Sequence, residues 1–254
     1  MSAAGLELAR LGLRALAGLA PSPVLDARLT RAAHLLPELA PVPGLDSSGW
    51  AALLDAATVQ ETQLFRGPAQ LALIEARLPA LLAGIQGRPL RLLSAGCATG
   101  EEAFSLAAIG VRAAAEHAPG LEVEVLGVDI CRPALASAEA GIISPHLGEP
   151  LRLVPAGHLP WLADARGQPR LHSRLRRTLR FQRANLLDLP DDLGWFDVIL
   201  CRNVLIYMDM PARRQVLEGL GARLHPGGML GLGATDAGPG APFSAAGHAV
   251  FAHG

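Results

Sequence analysis

"LLSAGCATGEEAFSLA", residues 92–107, is an apolar run that breaks into small residues and glycines before two glutamates open a helical pattern. The run "LRLLSAG" ending at Gly96 reads as a buried strand, and "EEAFSLAAIGVRAAAEH" (101–117) as a helix. A strand, a glycine turn and a helix are the opening of a nucleotide-binding α/β fold. The glycines, however, are Gly96 and Gly100, spaced G-x-x-x-G rather than G-x-G-x-x-G. The dipole at a helix N-terminus favours Glu101 and Glu102, yet two carboxylates repel a pyrophosphate and attract a cation.

The pattern continues on both sides. "LEVEVLGVDI" places Asp129 at the end of a second strand, where an acid accepts hydrogen bonds from ribose hydroxyls. A nucleoside that carries positive charge and no phosphate satisfies both facts, and S-adenosylmethionine is such a molecule. The alternative is that Glu101 and Glu102 only cap a helix and Asp129 only ends a strand. "LRFQRANLL" and "FDVILCRNVLIY" supply further strands, and "PARRQVLEGLGARLHPGG" a helix with a glycine stop. "MLGLGAT" and "HAVFAHG" form a closing hairpin in this reading. Strands alternating with helices predict a mainly parallel sheet covered on both faces. The loops after Leu93, Val128, Phe181 and Leu200 then carry the ligand site. Residues 1–85 read as helices, over 24–36, 49–60 and 68–84, separated by Pro, Gly and Ser. That divides the chain into a helical N-terminal domain, 1–85, and an α/β domain, 86–254.

Composition narrows the function classes. The 254 residues are 50% hydrophobic and 18% charged, with net charge −1, which does not advertise a nucleic-acid partner. All basic side chains are arginine. No stretch reaches the ~18 uncharged apolar residues of a membrane span. The N-terminal "GLELARLGLRALAGLA" is broken by Glu7, Arg10 and Arg14, and so reads as an amphipathic helix rather than a signal peptide. Cys97, Cys131 and Cys201 are widely spaced within or beside apolar segments, as suits buried thiols in a reducing cytoplasm. The histidines show no metal-ligand spacing, and no metal is expected.

"SAGCATGEEAFSLA", "GVDI", "ANLLDLP" and "FDVILCRNVLIYM", in this order, resemble the chemotaxis receptor glutamate methyltransferases, the CheR family. "TVQETQLFR" (58–66) is similar to that family's T-x-N-E-T-x-F-F-R segment. The resemblance implies a Rossmann-like class I methyltransferase domain, a small helical N-terminal domain and an inserted antiparallel β-subdomain, here about 160–181. It implies methyl transfer from S-adenosylmethionine to glutamate side chains on cytoplasmic chemoreceptor helices, leaving S-adenosylhomocysteine. Position by position, it assigns Gln60, Thr62 and Arg66 to the cofactor pocket, with Gly96 in the turn. Glu101 then meets the methionine part, Asp129 the ribose, and Asn185 and Leu186 the adenine. Arg202, Asn203 and Tyr207 surround the methyl-transfer position, with Arg66 and Tyr207 as the catalytic pair. Gln60, Leu64 and "GLGATD" depart from the family pattern, which has asparagine, phenylalanine and a G-H-S-E-like run there.

A glutamate acceptor is ionised at neutral pH, its ordinary pKa being about 4.3. It therefore needs alignment and exclusion of water more than a general base. Arg66 matches carboxylate geometry. "RNVLIY" lacks the prolines of the N/D-P-P-Y/W signature of DNA amino-methyltransferases, which argues against nucleic acid. Two other readings stay open: a non-catalytic S-adenosylmethionine-binding docking module, and a methyltransferase acting on a different carboxylate. Seven arginines and no acid lie between Arg166 and Arg183. They read either as a docking strip for an acidic receptor peptide or as a solvated strand face. Arg28 and Arg31, three apart, fall where the family's receptor-contacting helix is charged.

Overall fold

The computed structural model describes residues 3–143, 148–236 and 238–254. Seven strands form one sheet: β1 (Leu90–Ala95), β2 (Val123–Asp129), β3 (Leu179–Arg183), β4 (Phe196–Cys201), β5 (Leu224–Leu232), β6 (Phe243–Gly247) and β7 (Val250–His253). Their order is β3-β2-β1-β4-β5-β7-β6. The first five run parallel, and β7 lies antiparallel between β5 and β6. The expected pairing of "MLGLGAT" with "HAVFAHG" is present as β5 against β7. The tight hairpin is β6–β7, however, with β6 at the sheet edge.

Side-chain alternation sends successive residues to opposite faces. Leu92, Val125, Val198 and Leu200 join one core, and Leu93, Val128, Ile199 and Cys201 the other. Helices α4 (Pro68–Ala83) and α5 (Glu101–His117) cover the first face, and α9 (Met210–Gly221) covers the second. All three cysteines are buried and unpaired. Burial pushes their thiols up, which keeps them protonated and unreactive.

Helices α1 (Ala3–Ala17), α2 (Pro23–Arg31) and α3 (Ser48–Ala57) build a third core around Leu13, Leu29, Trp50 and Leu53. The Trp50 indole N–H donates to the Ala40 carbonyl at 2.9 Å. The helix expected over 24–36 is broken, continuing after α2 as a 3₁₀ helix, Ala33–Glu38. Pro37 explains the tighter turn, since in an α-helix its ring would clash with the carbonyl four residues back. Helix α4 packs into the sheet's core, through Leu71, Ile74, Leu78 and Leu82, and not with the core of the first three helices.

The antiparallel β-subdomain expected at 160–181 is not formed there. The segment holds α7 (Leu159–Leu162), a single antiparallel bridge between Ala163 and Pro169, α8 (Ser173–Thr178) and the start of β3. Leu171, Leu175 and Leu179 are all buried, Leu175 from α8 and Leu179 from the start of β3, so a short helix stands where strands were expected. His172 caps α8, its Nδ1 accepting the Arg174 N–H at 3.1 Å.

Candidate functional site

At the carboxyl ends of the parallel strands, between β1 and β4 where the strand order reverses, lies a cleft of about 1070 Å³ including its open mouth. Its floor is the turn quoted above. Gly96 adopts φ +78, and a Cβ there would strike the Val204 side chain, so only glycine lets this turn pass under the β4 loop. The Gly96 and Cys97 N–H groups donate to the Val128 carbonyl at 2.8 and 3.0 Å. Asp129 closes the junction, accepting the Ala98 N–H at 2.8 Å and the Cys131 N–H at 2.9 Å. Burial pushes the Asp129 carboxyl up, while those backbone donors pull it down. Each oxygen keeps acceptor capacity toward the cleft.

The structure places Glu102, not Glu101, on the cleft wall. Glu101 is 1% exposed, accepts the Thr99 hydroxyl at 2.7 Å, and lines a small neighbouring pocket with Thr62 and Ile143. One helical position rotates the side chain by ~100°, and that rotation separates the two glutamates. Glu102 accepts the Ser94 hydroxyl and the Arg202 Nε–H, both at 2.7 Å. The hint in the sequence was Ser94, a hydroxyl in an otherwise apolar buried strand that needs a partner.

Gln60, Thr62 and Arg66 reach the cleft from the segment between α3 and α4, Asn185 and Leu186 from the loop after β3, and Arg202, Asn203 and Tyr207 from the loop after β4. Asn203 holds φ +58, a left-handed conformation that asparagine tolerates better than most residues. Tyr207 ends a 3₁₀ helix, Leu205–Tyr207, and among the described residues its hydroxyl has no hydrogen-bond partner. The Gln60 amide donates to the Thr58 hydroxyl at 2.9 Å, whereas its Oε1 is buried without a partner.

Sequence reasoning missed the roof. Leu19, Ala20, Ser22, Val24 and Leu25, at the α1–α2 turn, line the cleft. The roof is tied to the Tyr207 loop by a Leu19–Met208 bridge, by the Ala20 N–H on the Tyr207 carbonyl (2.8 Å), and by the Asp209 N–H on the Gly18 carbonyl (2.9 Å). Asn185 joins it too, donating Nδ2–H to the Leu16 carbonyl at 2.7 Å. Only tertiary folding brings these residues 160 or more positions together, and no local pattern announces it.

Among the described residues, Arg174, Arg176, Arg180 and Arg183 of the arginine-rich stretch make side-chain contacts within the fold. Arg176 donates to the Ala140 carbonyl, Arg180 to those of Arg177 and Leu179, and Arg183 to Ile130, Leu45 and the Asp46 carboxylate. Arg174 stacks 5.8 Å from the Trp161 ring centre. Arg28 caps the end of α3 through the Ala56 and Thr58 carbonyls. Among the described residues no group of three or more His, Cys, Asp or Glu could hold a metal, and no helix is long and apolar enough to cross a membrane.

The cleft fits an uncharged-ring nucleoside with a cationic tail. It pairs acids on the floor with an apolar wall and an orphaned acceptor, Gln60 Oε1, ready for an N–H donor. Strand order and site together define a class I, Rossmann-like methyltransferase fold with its ligand cleft at the carboxyl edge. The family model described as "CheR methyltransferase, SAM binding domain" matches residues 60–243, so the chain belongs to the CheR family and carries its S-adenosylmethionine-binding domain. It is 36% identical over 189 residues to "Probable biofilm formation methyltransferase WspC" of Pseudomonas putida, covering 73% of this chain and 43% of that protein. It is 35% identical over 193 residues to "Chemotaxis protein methyltransferase 2" of Vibrio cholerae, covering 73% of this chain and 65% of that one. To "Chemotaxis protein methyltransferase 1" of Pseudomonas aeruginosa it is 34% identical over 190 residues, covering 73% and 69%. The chain thus spans about half to two thirds of the length of the first relatives it matches.

Proposed function

We propose that this protein catalyses S-adenosylmethionine-dependent methyl transfer to glutamate side-chain carboxylates of chemoreceptor-type signalling proteins, forming methyl esters. The observation that carries this reading is the convergence of Arg66, Asn203 and Tyr207 on one cleft whose floor carries Asp129 and Glu102. S-adenosylmethionine supplies an electrophilic methyl group on a sulfonium. In this reading Asp129 holds the ribose hydroxyls, Glu102 faces the cationic methionine end, and Leu186 with the Ala184–Asn185 backbone flanks the adenine. Gln60 Oε1 accepts from a ligand N–H.

Arg66 orients the acceptor, its guanidinium matching the two oxygens of a carboxylate. Its Nη1–H donates to the Glu61 carbonyl at 3.1 Å, and the guanidinium has further N–H groups for an acceptor. Tyr207 offers a free phenol to the acceptor oxygen or to the space around the sulfonium. Because a glutamate is already ionised at neutral pH, the residues have only to align it and shut out water. The apolar roof serves the second need. The names of the relatives support chemoreceptor-type substrates, and the arginines of α8 and β3 supply positive surface for an acidic partner segment.

The test is transfer of radiolabelled methyl from S-adenosylmethionine onto the host's chemoreceptor cytoplasmic fragments. Label that is incorporated and then released as methanol by mild alkali is the expected result. Alkali-stable label would place the methyl on nitrogen or another atom and refute the reading.

A further inference from the structure

Gln70 sits on the first turn of α4, buried and outside the cleft lining, yet its amide is engaged at both ends. Its Nε2 donates toward the carbonyls of Leu232 (2.9 Å), His248 (2.9 Å) and Ala249 (3.1 Å). The last two are left-handed residues of the β6–β7 turn, at φ +49 and +55. Its Oε1 accepts from Arg202 Nη1 at 3.2 Å. Arg202 is in turn bound to Glu102 through Nε, and its Nη1 also donates to the carbonyl of Arg66. Gly67 permits that approach: it adopts φ +69, and a Cβ there would lie 3.0 Å from Arg202 Nη1.

Arg202 is therefore not free to roam in the cleft. It is a buried latch between the floor (Glu102), the end of the sheet (through Gln70) and the Arg66–Gly67 backbone. We propose that Gln70 is a positioning residue for methyl transfer: by fixing the Arg202 guanidinium, it fixes the Arg66 backbone and so aims the Arg66 side chain at the acceptor. This rests on the reading of Arg66 as the acceptor-orienting group. A purely architectural Gln70 would instead only join α4 to β5 and β7.

The discriminating variants are Gln70→Met, which keeps volume and loses every bond, and Gln70→Glu, which keeps an oxygen facing Arg202 and loses the donors to the turn. Both are examined in the full chain by calorimetry with S-adenosylhomocysteine, hydrogen exchange and steady-state transfer to the chemoreceptor fragments. Gln70→Met is expected to bind S-adenosylhomocysteine as wild type does. It is expected to lose about 10- to 100-fold in kcat/KM, mainly through the acceptor KM, as misplacement of a substrate-orienting group does. Its peptide spanning 61–67 exchanges faster. Gln70→Glu restores transfer and protection at 61–67 while the 248–249 turn exchanges faster. Wild-type transfer in Gln70→Met, or a loss located wholly in cofactor affinity, overturns the proposal. Should Gln70→Met fail to fold, loosening of 61–67 in Gln70→Glu overturns it alone. Arg66→Ala in the same assay separates the two levels. Wild-type transfer there overturns the acceptor reading, whereas loss there with unimpaired Gln70→Met overturns only the role of Gln70.

Discussion

Glu102 and Arg202 form an ion pair in which both side chains are almost wholly buried, at 9% and 6% exposure. Removing one partner leaves the other charged in a dry site, so Glu102→Ala is expected to lower stability by about 3–5 kcal/mol, read by urea denaturation. Gly96 makes a sharper geometric claim. Gly96→Ala imposes a side chain on a left-handed turn that Val204 already fills, and unfolding at lower denaturant by about 1–3 kcal/mol is expected. Adding Val204→Ala should return part of that loss, and a strictly additive double variant would show the contact is not the cause. Asp129→Ala removes the acceptor of two backbone N–H groups and the proposed ribose partner. S-adenosylhomocysteine affinity should fall by about 10- to 100-fold, as expected for hydrogen bonds to a charged group.

The loop after β4 and the α1–α2 turn act as one piece. Asp209 joins them: it caps α9 through the Ala212 N–H at 3.0 Å and pairs with Arg14 at 2.7 Å. Those two contacts, the backbone donor first, hold its carboxyl below the usual range. A carboxyl lower in the folded than in the unfolded chain stabilises the fold above the unfolded value and stops doing so as pH falls through the folded one. Asp209→Ala should thus cost about 1 kcal/mol at neutral pH. The gap to wild type should narrow only below about pH 4, and a constant gap would show that the charge is irrelevant. At this scale the sequence is uneven as a guide. Strand β1, the turn and α5 are legible because local chemistry decides them: a short apolar run, two glycines and an acidic first turn. The α8 segment misleads because arginines between leucines mimic strand alternation, while a short helix stands there. The choice of Glu102 over Glu101 depends on helix rotation against Ser94 and Arg202, and that is fixed only by packing.

A mainly parallel sheet carries a helical roof, and the cleft exists because the two meet. Roof residues 17–25 close over a floor built from Gly96, Ala98, Glu102 and Asp129, and the loop after β4, 202–209, is bonded to both. Part of the cleft wall, residues 17–25 and 57–59, lies before the family match, which begins at residue 60. The proposed methyl transfer to a glutamate carboxylate has a direct measurement. Tandem mass spectrometry of receptor fragment after incubation with the protein and S-adenosylmethionine locates the added methyl. The methyl is expected on glutamate side chains, and absent in the Arg66→Ala reaction. A methyl on lysine, arginine or cysteine, or undiminished glutamate modification by Arg66→Ala, would contradict it.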